Sequence, residues 1–302
     1  MRGTILCFLL AGSLVLAGCK RPAAAPAAAA PQRLAVMGAS AVEMLDGLGL
    51  LDRVVAVGDF VDWPPRLRRL PKLGSYDAPN EEEVLALRTD LLITSASKAA
   101  RTHLENLRRL GVEVMELETD TFDSVLASLH QLAARLGREP RARELERRIR
   151  SRMAEVRGRT AAAARPRVLF VVGQEPLYVA GPGSFLDEMI RAAGGQNVAA
   201  DARSPYQLVS LEAMLGRLPE VIIDISDNRP DAVRGRRLGP WERWSFLPAV
   251  ARRQVYSVDP DRLSVAGPRL PEMTELVGKL IHPEIFGAPA AAEMGPLAAG
   301  AP

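Results

Sequence analysis

Cysteine is nearly missing from this chain of 302 residues. It has two, Cys7 and Cys19, both near the start. The body of the chain therefore has no thiol, which excludes a disulfide framework or a cysteine-ligated metal there. A core of this size needs neither. Histidine is almost as scarce. His103, His130 and His282 are far apart in sequence, which argues against a bare zinc or manganese site built from clustered histidines and carboxylates. There is no Gly-x-Ser-x-Gly elbow, no Gly-Lys-Ser/Thr phosphate loop and no His-Glu-x-x-His pair, so no enzyme signature stands. An excess of one charge is also lacking: 39 Lys and Arg face 36 Asp and Glu, a net +3. The arginine-rich stretch 135–159 is broken by Glu139, Glu144, Glu146 and Glu155. It reads as a solvated helix face, and no nucleic-acid partner is expected. The one long apolar run, Ile5 to Leu16, is too short to span a bilayer stably.

That run follows Arg2 and ends in Leu16-Ala17-Gly18-Cys19. The pattern is that of a secretory signal, and its end resembles the lipobox of bacterial lipoproteins. The resemblance implies removal of residues 1–18 and lipidation of Cys19. The mature protein is then exported and held at a membrane surface, periplasmic or on the outer face of the cytoplasmic membrane. Residues 19–32 are rich in alanine and proline and read as a tether. Residues 286–302 have a similar composition and are expected to be disordered.

Between these ends strand and helix alternate. Short apolar runs at 33–37, 53–57, 91–94 and 112–117 are separated by helical patterns, which argues for a parallel sheet. Ser40-x-x-Glu43 looks like a capping box opening a helix to Leu50. Phe122 to Leu136 reads as an amphipathic helix. The rhythm then breaks. From Arg141 to Ala163 the apolar positions Ala142, Leu145, Ile149, Met153 and Val156 recur at three- and four-residue steps, as in one long helix with a narrow stripe. Alternation resumes with strands at 167–172, 221–225 and 254–258 and a closing helix at 270–281.

The halves resemble each other. The stretch from Asn80 to Thr94 can be laid on that from Ser210 to Asp224: a cap residue, a glutamate two positions on, a short helix, a turn and an apolar strand. Glu82 and Glu212 fall in register. The expected fold is α/β, two Rossmann-like lobes at 33–137 and 165–285 joined by a single long backbone helix at 138–164. A single helix is a stiff joint, so lobe closure should be small. The protein is expected to be a monomer that carries no cofactor.

Several segments in order carry a wider resemblance. They are Leu-Gly-Leu-Leu-Asp-Arg-Val-Val-Ala-Val-Gly-Asp-Phe-Val-Asp-Trp-Pro-Pro (48–65), Leu-Pro-Lys-Leu-Gly-Ser-Tyr-Asp-Ala-Pro-Asn-Glu-Glu-Glu (70–83) and Pro-Leu-Tyr-Val-Ala-Gly-Pro-Gly-Ser-Phe (176–185). Ala-Gly-Gly-Gln-Asn-Val-Ala-Ala-Asp (193–201), Val-Ser-Leu-Glu (209–212) and Gly-Pro-Arg (267–269) follow. Together they resemble the helical-backbone solute-binding proteins that capture cobalamin, ferric siderophores or haem for ABC importers. The resemblance implies a ligand in the cleft between the lobes and delivery to a membrane permease with its ATPase. It also implies that Glu82 and Glu212, one per lobe, engage arginines of that permease.

Ligands of open α/β sheets sit beyond the carboxyl ends of the strands. The loops there carry Ser40, Phe60, Tyr76, Tyr178, Tyr206 and Asp261, and Trp63 and Trp241 are further candidates. Four of the chain's 14 aromatic residues thus fall on such loops, as a large flat ligand requires. Asp261 aligns with a ligand-side carboxylate of the cobalamin binders. A corrinoid fits best. A ferric siderophore would need converging cations, for which Arg203, Arg229 and Arg262 are available, although Val265 stands where relatives often carry a basic residue. Haem would need an axial Tyr or His, for which Tyr76, Tyr178 and Tyr206 are available. A rival enzymatic reading would have to pair carboxylates among Asp59, Asp62, Asp77, Asp227 and Asp261.

Overall fold

The computed structural model describes residues 30–95, 97–227, 229 and 232–297. The signal segment, Cys19 and most of the tether lie outside them. Among the described residues no helix is long and apolar enough to cross a membrane.

The N-terminal lobe contains strands β1 (Leu34–Val36), β2 (Val54–Val57), β5 (Leu91–Ser95) and β6 (Glu113–Leu117) in the order β2-β1-β5-β6, all parallel. A small antiparallel pair, β3 (Gly74–Ser75) and β4 (Ala78–Pro79), stands apart. Helices α1 (Ala39–Gly47), α2 (Glu81–Ala86), α3 (Arg101–Arg109) and α4 (Phe122–Leu136) connect and flank the strands. Helix α5 (Glu139–Thr160) leaves this lobe and enters the next.

The C-terminal lobe has a sheet of order β10-β8-β7-β11-β13-β12, with β9 beside β7. Its centre is parallel: β7 (Arg167–Gly173), β11 (Val221–Asp224) and β13 (Val255–Ser257). Strands β8 (Tyr178–Ala180), β10 (Tyr206–Leu208) and β12 (Gly235–Arg236) run antiparallel to their neighbours, and β9 (Gln196–Asn197) is parallel to β7. Six helices accompany them: α6 (Phe185–Ala192), α7 (Leu211–Leu215), α8 (Pro248–Ala251), α9 (Pro260–Leu263), α10 (Leu270–Ile281) and α11 (Pro283–Phe286). A last turn, α12 (Ala291–Met294), closes the described chain.

The period of two along each strand divides the core. Leu34 and Val36 of β1, and Val168 and Phe170 of β7, point to one continuous core that also takes up α1, α4, α6 and α10. Ala35 and Met37 face a separate cluster with Leu104 and Leu107 of α3. Leu169 and Val171 face another, with Trp241 and Leu247. All five stripe residues of α5 are buried, so that helix is packed into both lobes.

The internal repeat is visible in the backbone. Asn80 and Ser210 each cap their helix, accepting from Glu83 N and Ala213 N at 3.1 Å. Eight residues after each cap, Arg88 and Leu218 adopt the same left-handed conformation at φ 49°. Arg33 and Arg167 then play matching parts. Each donates Nε to a carbonyl of that turn, Leu87 O at 2.9 Å and Leu218 O at 3.0 Å. Each donates its backbone N–H to an acid just before the next strand, Asp90 at 2.9 Å and Glu220 at 3.0 Å.

Three expectations are corrected. Helix α1 is capped by Gly38 without a side-chain bond, and Ser40 lies within its first turn; Glu43 is buried and bonds Arg269 of the other lobe instead. Residues 286–297 are not disordered. Met294 is 4% exposed, and Arg262 donates to Gly295 O, Ala292 O and Pro296 O at 2.7–3.0 Å. The end of the tether is also fastened, since Gln32 N donates to Asp90 and Arg53 Nη1 to Pro31 O.

Candidate functional site

The aromatic candidates fall into two groups, one per lobe. In the N-terminal lobe β2 runs into Phe60 and β3 into Tyr76. These rings belong to one group because their loops are bonded: Asp59 N donates to Gly74 O at 3.0 Å, and Gly74 N to Asp59 Oδ1 at 3.1 Å. Gly74 has φ +82°, and a side chain there would come within 2.8 Å of Ala78 O, so the turn requires glycine. Phe60 is 78% exposed and Tyr76 48% exposed. Two open rings on bonded loops are available to a partner or ligand.

In the C-terminal lobe Tyr178 and Tyr206 lie on the adjacent antiparallel strands β8 and β10, two steps apart in register. That diagonal brings rings together on one face: the centroids are 6.4 Å apart and the planes 18° from parallel. Leu208, paired with Tyr178 and on the same face as Tyr206, is exposed. Sequence reasoning missed it, although the alternation Tyr-Gln-Leu carried the signal. Burial pushes the Tyr206 phenol above its ordinary pKa, with Asp120 and Tyr178 adding. Asp120 belongs to the N-terminal lobe, so this pair sits at the junction of the lobes. Phe122 N donates to Glu188 Oε2 at 2.7 Å across the same junction.

The remaining candidates are distributed unequally. Ser40 is half-buried in α1, and Asp261 is exposed at the start of α9, beyond β13. Trp63 is half-buried beneath Arg269, whose guanidinium lies 5.9 Å from its ring centroid. Trp241 does not belong to the cleft. It is 3% exposed, and its Nε1 donates to Asp224 Oδ2 at 2.9 Å. Arg262 is spent on the C-terminal carbonyls described above, and Arg229 is bonded to Asp227 at 2.8 Å. The histidines each bind one carboxylate: His103 with Glu81, His130 with Glu146 and His282 with Glu284.

Two cavities lie outside this set. One of about 770 Å³ runs between α4, α5 and α6, lined by Phe122, Leu126, Ile149, Met153, Arg157 and Arg165 among others, and none of the six ligand candidates lines it. Its floor is already buried and its rim is arginine, so it offers a flat organic ligand little apolar surface. A second, of about 510 Å³, sits at the carboxyl ends of β7, β11 and β13, beside Asp224, Asp227 and Trp241. None of the six ligand candidates lines the second cavity either.

Comparison with known proteins gives a consistent picture. The family model described as periplasmic binding protein matches residues 34–262. An uncharacterized ABC transporter substrate-binding lipoprotein of Bacillus subtilis is 27% identical over 263 residues, 85% of this chain and 82% of that protein. The periplasmic vitamin B12 binding protein of Vibrio cholerae superposes with a TM-score of 0.71 at 25% identity, covering 83% of this chain and 96% of that one. A periplasmic heme binding protein from Pseudomonas aeruginosa superposes with a TM-score of 0.70 at 27% identity, covering 84% and 94%. The two lobes, the connecting helix and the extent of these matches lead to one conclusion: the chain belongs to the periplasmic binding protein family, a family of transport carriers and not of enzymes.

Proposed function

We propose that this protein is the capture component of an ABC importer and that it holds a cobalamin-type corrinoid between its lobes, one per chain. The observation that carries the reading is the set of loop and edge-strand aromatics: Phe60 and Tyr76 open on one lobe, Tyr178 stacked with Tyr206 on the other. A corrinoid presents a broad ring face and neutral amide arms, which such rings and a few polar groups such as Ser40 and Asp261 suit. The arginines that a ferric siderophore would require are partly committed elsewhere, Arg262 to the chain end and Arg229 to Asp227. Haem is the second reading. It is favoured by Tyr76, whose exposed phenol could serve as an axial ligand.

Titration of the soluble protein, from Lys20 onward, with cyanocobalamin, hemin and ferric hydroxamate and catecholate complexes decides among them. Cyanocobalamin should saturate at one per chain. Phe60→Ala and Tyr76→Ala should each weaken it by about 1–3 kcal/mol. Because both rings are exposed, the melting temperature should not move. Absence of corrinoid heat alongside saturable hemin or siderophore binding overturns the corrinoid reading.

The carrier is proposed to work as a monomer tethered through lipid on Cys19, with Glu82 and Glu212 as its contacts to the permease. Mass spectrometry of the mature protein should find an acylated N-terminal Cys19, and Cys19→Ser should release the protein from membranes. Cleavage elsewhere, or an unmodified cysteine, refutes the anchor.

A further inference from the structure

Arg269, the residue before α10, reaches out of the C-terminal lobe and joins three segments. Its Nε donates to Oε1 of Glu43 at 2.6 Å, and its Nη2 bonds the same oxygen. Glu43 belongs to α1 in the N-terminal lobe and is 6% exposed. Nη2 also donates to the backbone oxygen of Asp261 at 3.2 Å. The flat face of the guanidinium covers Trp63, which follows Phe60 in the N-terminal lobe. The approach is close. A Cβ on Gly267 would lie 2.6 Å from Glu43 Oε2, and one on Gly47 would lie 3.2 Å from Pro268. The segment 267–269 is therefore pressed onto α1, and glycine at 267 makes room for it.

Two buried polar atoms here have no partner, Glu43 Oε2 and Trp63 Nε1. A pair removed from water and left half satisfied contributes little to stability. What it does supply is geometry. A guanidinium is a planar fork that can hold a carboxylate, a carbonyl and a ring face at once, which an ammonium cannot.

We propose that Arg269 is the positioning residue of the cleft, setting the separation of its two walls by holding the Trp63 and Asp261 loops against α1. This rests on the reading that ligand binds between the lobes, but the separation can be measured without ligand. The only cysteines are Cys7 and Cys19, so the soluble form has none. Glu105→Cys on α3 and Glu242→Cys before α8, both at exposed positions, can be spin-labelled without background. The wild type should give one narrow interlobe distance. Arg269→Ala should broaden or shift it, and Arg269→Lys, which keeps the charge and loses the fork, should not restore it. If Arg269→Ala fails to fold with Glu43 left uncompensated, Glu43→Gln/Arg269→Ala removes the stranded charge and carries the same expectation. An unchanged distance in these variants, with only a lower melting temperature, overturns the proposal. In the same samples cyanocobalamin affinity should fall about tenfold, as expected when only a tenth of the molecules hold the competent spacing. Wild type that binds no cyanocobalamin refutes the corrinoid reading and leaves the distance measurement to decide the role of Arg269.

Discussion

Reversal of both Glu82 and Glu212 to arginine is expected to abolish uptake and to leave ligand capture in solution unchanged. Each glutamate is the second residue of a short helix, α2 or α7, behind a side-chain cap at Asn80 or Ser210. Both are exposed, and among the described residues neither makes an ion pair. Each lobe thus presents one free carboxylate at the same point of the same repeated unit. An exposed pair of this kind suits a docking partner with two cationic groups, where complementary charge sets orientation and encounter rate more than affinity. Turning both into like charges should cost several kcal/mol at that contact. The loss within the carrier is small, about 0.3–1 kcal/mol for a cation at a helix start, so it should fold and bind. Uptake assays, with binding measured separately, test this. Single glutamine variants should be partly active, with a defect that deepens at higher salt as the remaining attraction is screened. Normal uptake by the double reversal, or loss of ligand binding with it, removes the docking assignment.

Unfolding free energy should rise as the pH is lowered from 8 to 5. The cause is Glu43. Burial pushes its carboxyl up from 4.5 to about 7, Asp46 and Asp261 add to this, and Arg269 opposes it. A carboxyl whose folded pKa is raised binds protons more readily folded than unfolded. Its contribution is fully present below the unfolded value and is lost as the pH climbs through the folded one. The full swing for this shift is about 3 kcal/mol. Glu43→Gln keeps an acceptor for Arg269 and cannot titrate, so its stability should be flatter across the window. Comparing the two proteins isolates this group, because the three histidine–glutamate pairs are common to both. Carboxylates held low, such as Asp90 beneath Gln32 and Arg33 and Asp227 beside Arg229, act in the opposite sense. Their stabilisation is lost only as the pH falls below the ordinary carboxylate range. A wild type and Glu43→Gln with parallel pH profiles between 5 and 8 would disprove this account.

Local signals carried the long elements. Helix α4 begins after Thr121, whose hydroxyl accepts from Ser124 N, and ends at Gly137 in the left-handed conformation, and both residues announce themselves in sequence. The five stripe positions of α5 needed only periodicity. What could not be read depends on distant partners. Glu43 looked like part of a cap because its true partner, Arg269, is 226 residues away. Strands β8 and β10 are three residues each and exist by pairing, β10 with β8 and β8 also with β7, so the stacked tyrosines were placed on loops. Trp241 looked like a cleft aromatic, but the buried Asp224 accepts its N–H. The C-terminal stretch has the composition of a tail, and it is fastened by three carbonyls offered to Arg262, the Lys279–Glu293 pair and the buried Met294. Register between the two glutamates was legible because the repeat preserves the cap, the turn and the strand together.

Helix α5 is packed into both lobes along its buried face, and Phe122 N is bonded to Glu188 across their junction. A carrier joined in this way is expected to keep nearly the same outline whether it is loaded or empty. On the proposed docking, Glu82 and Glu212 would then keep the same spacing in both cases, and a permease would have no difference of shape by which to tell the two apart. Empty carrier is therefore expected to compete with loaded carrier for the same dock. Raising carrier abundance beyond the available ligand should slow uptake, with a flux set by the ratio of full to empty molecules and not by the total.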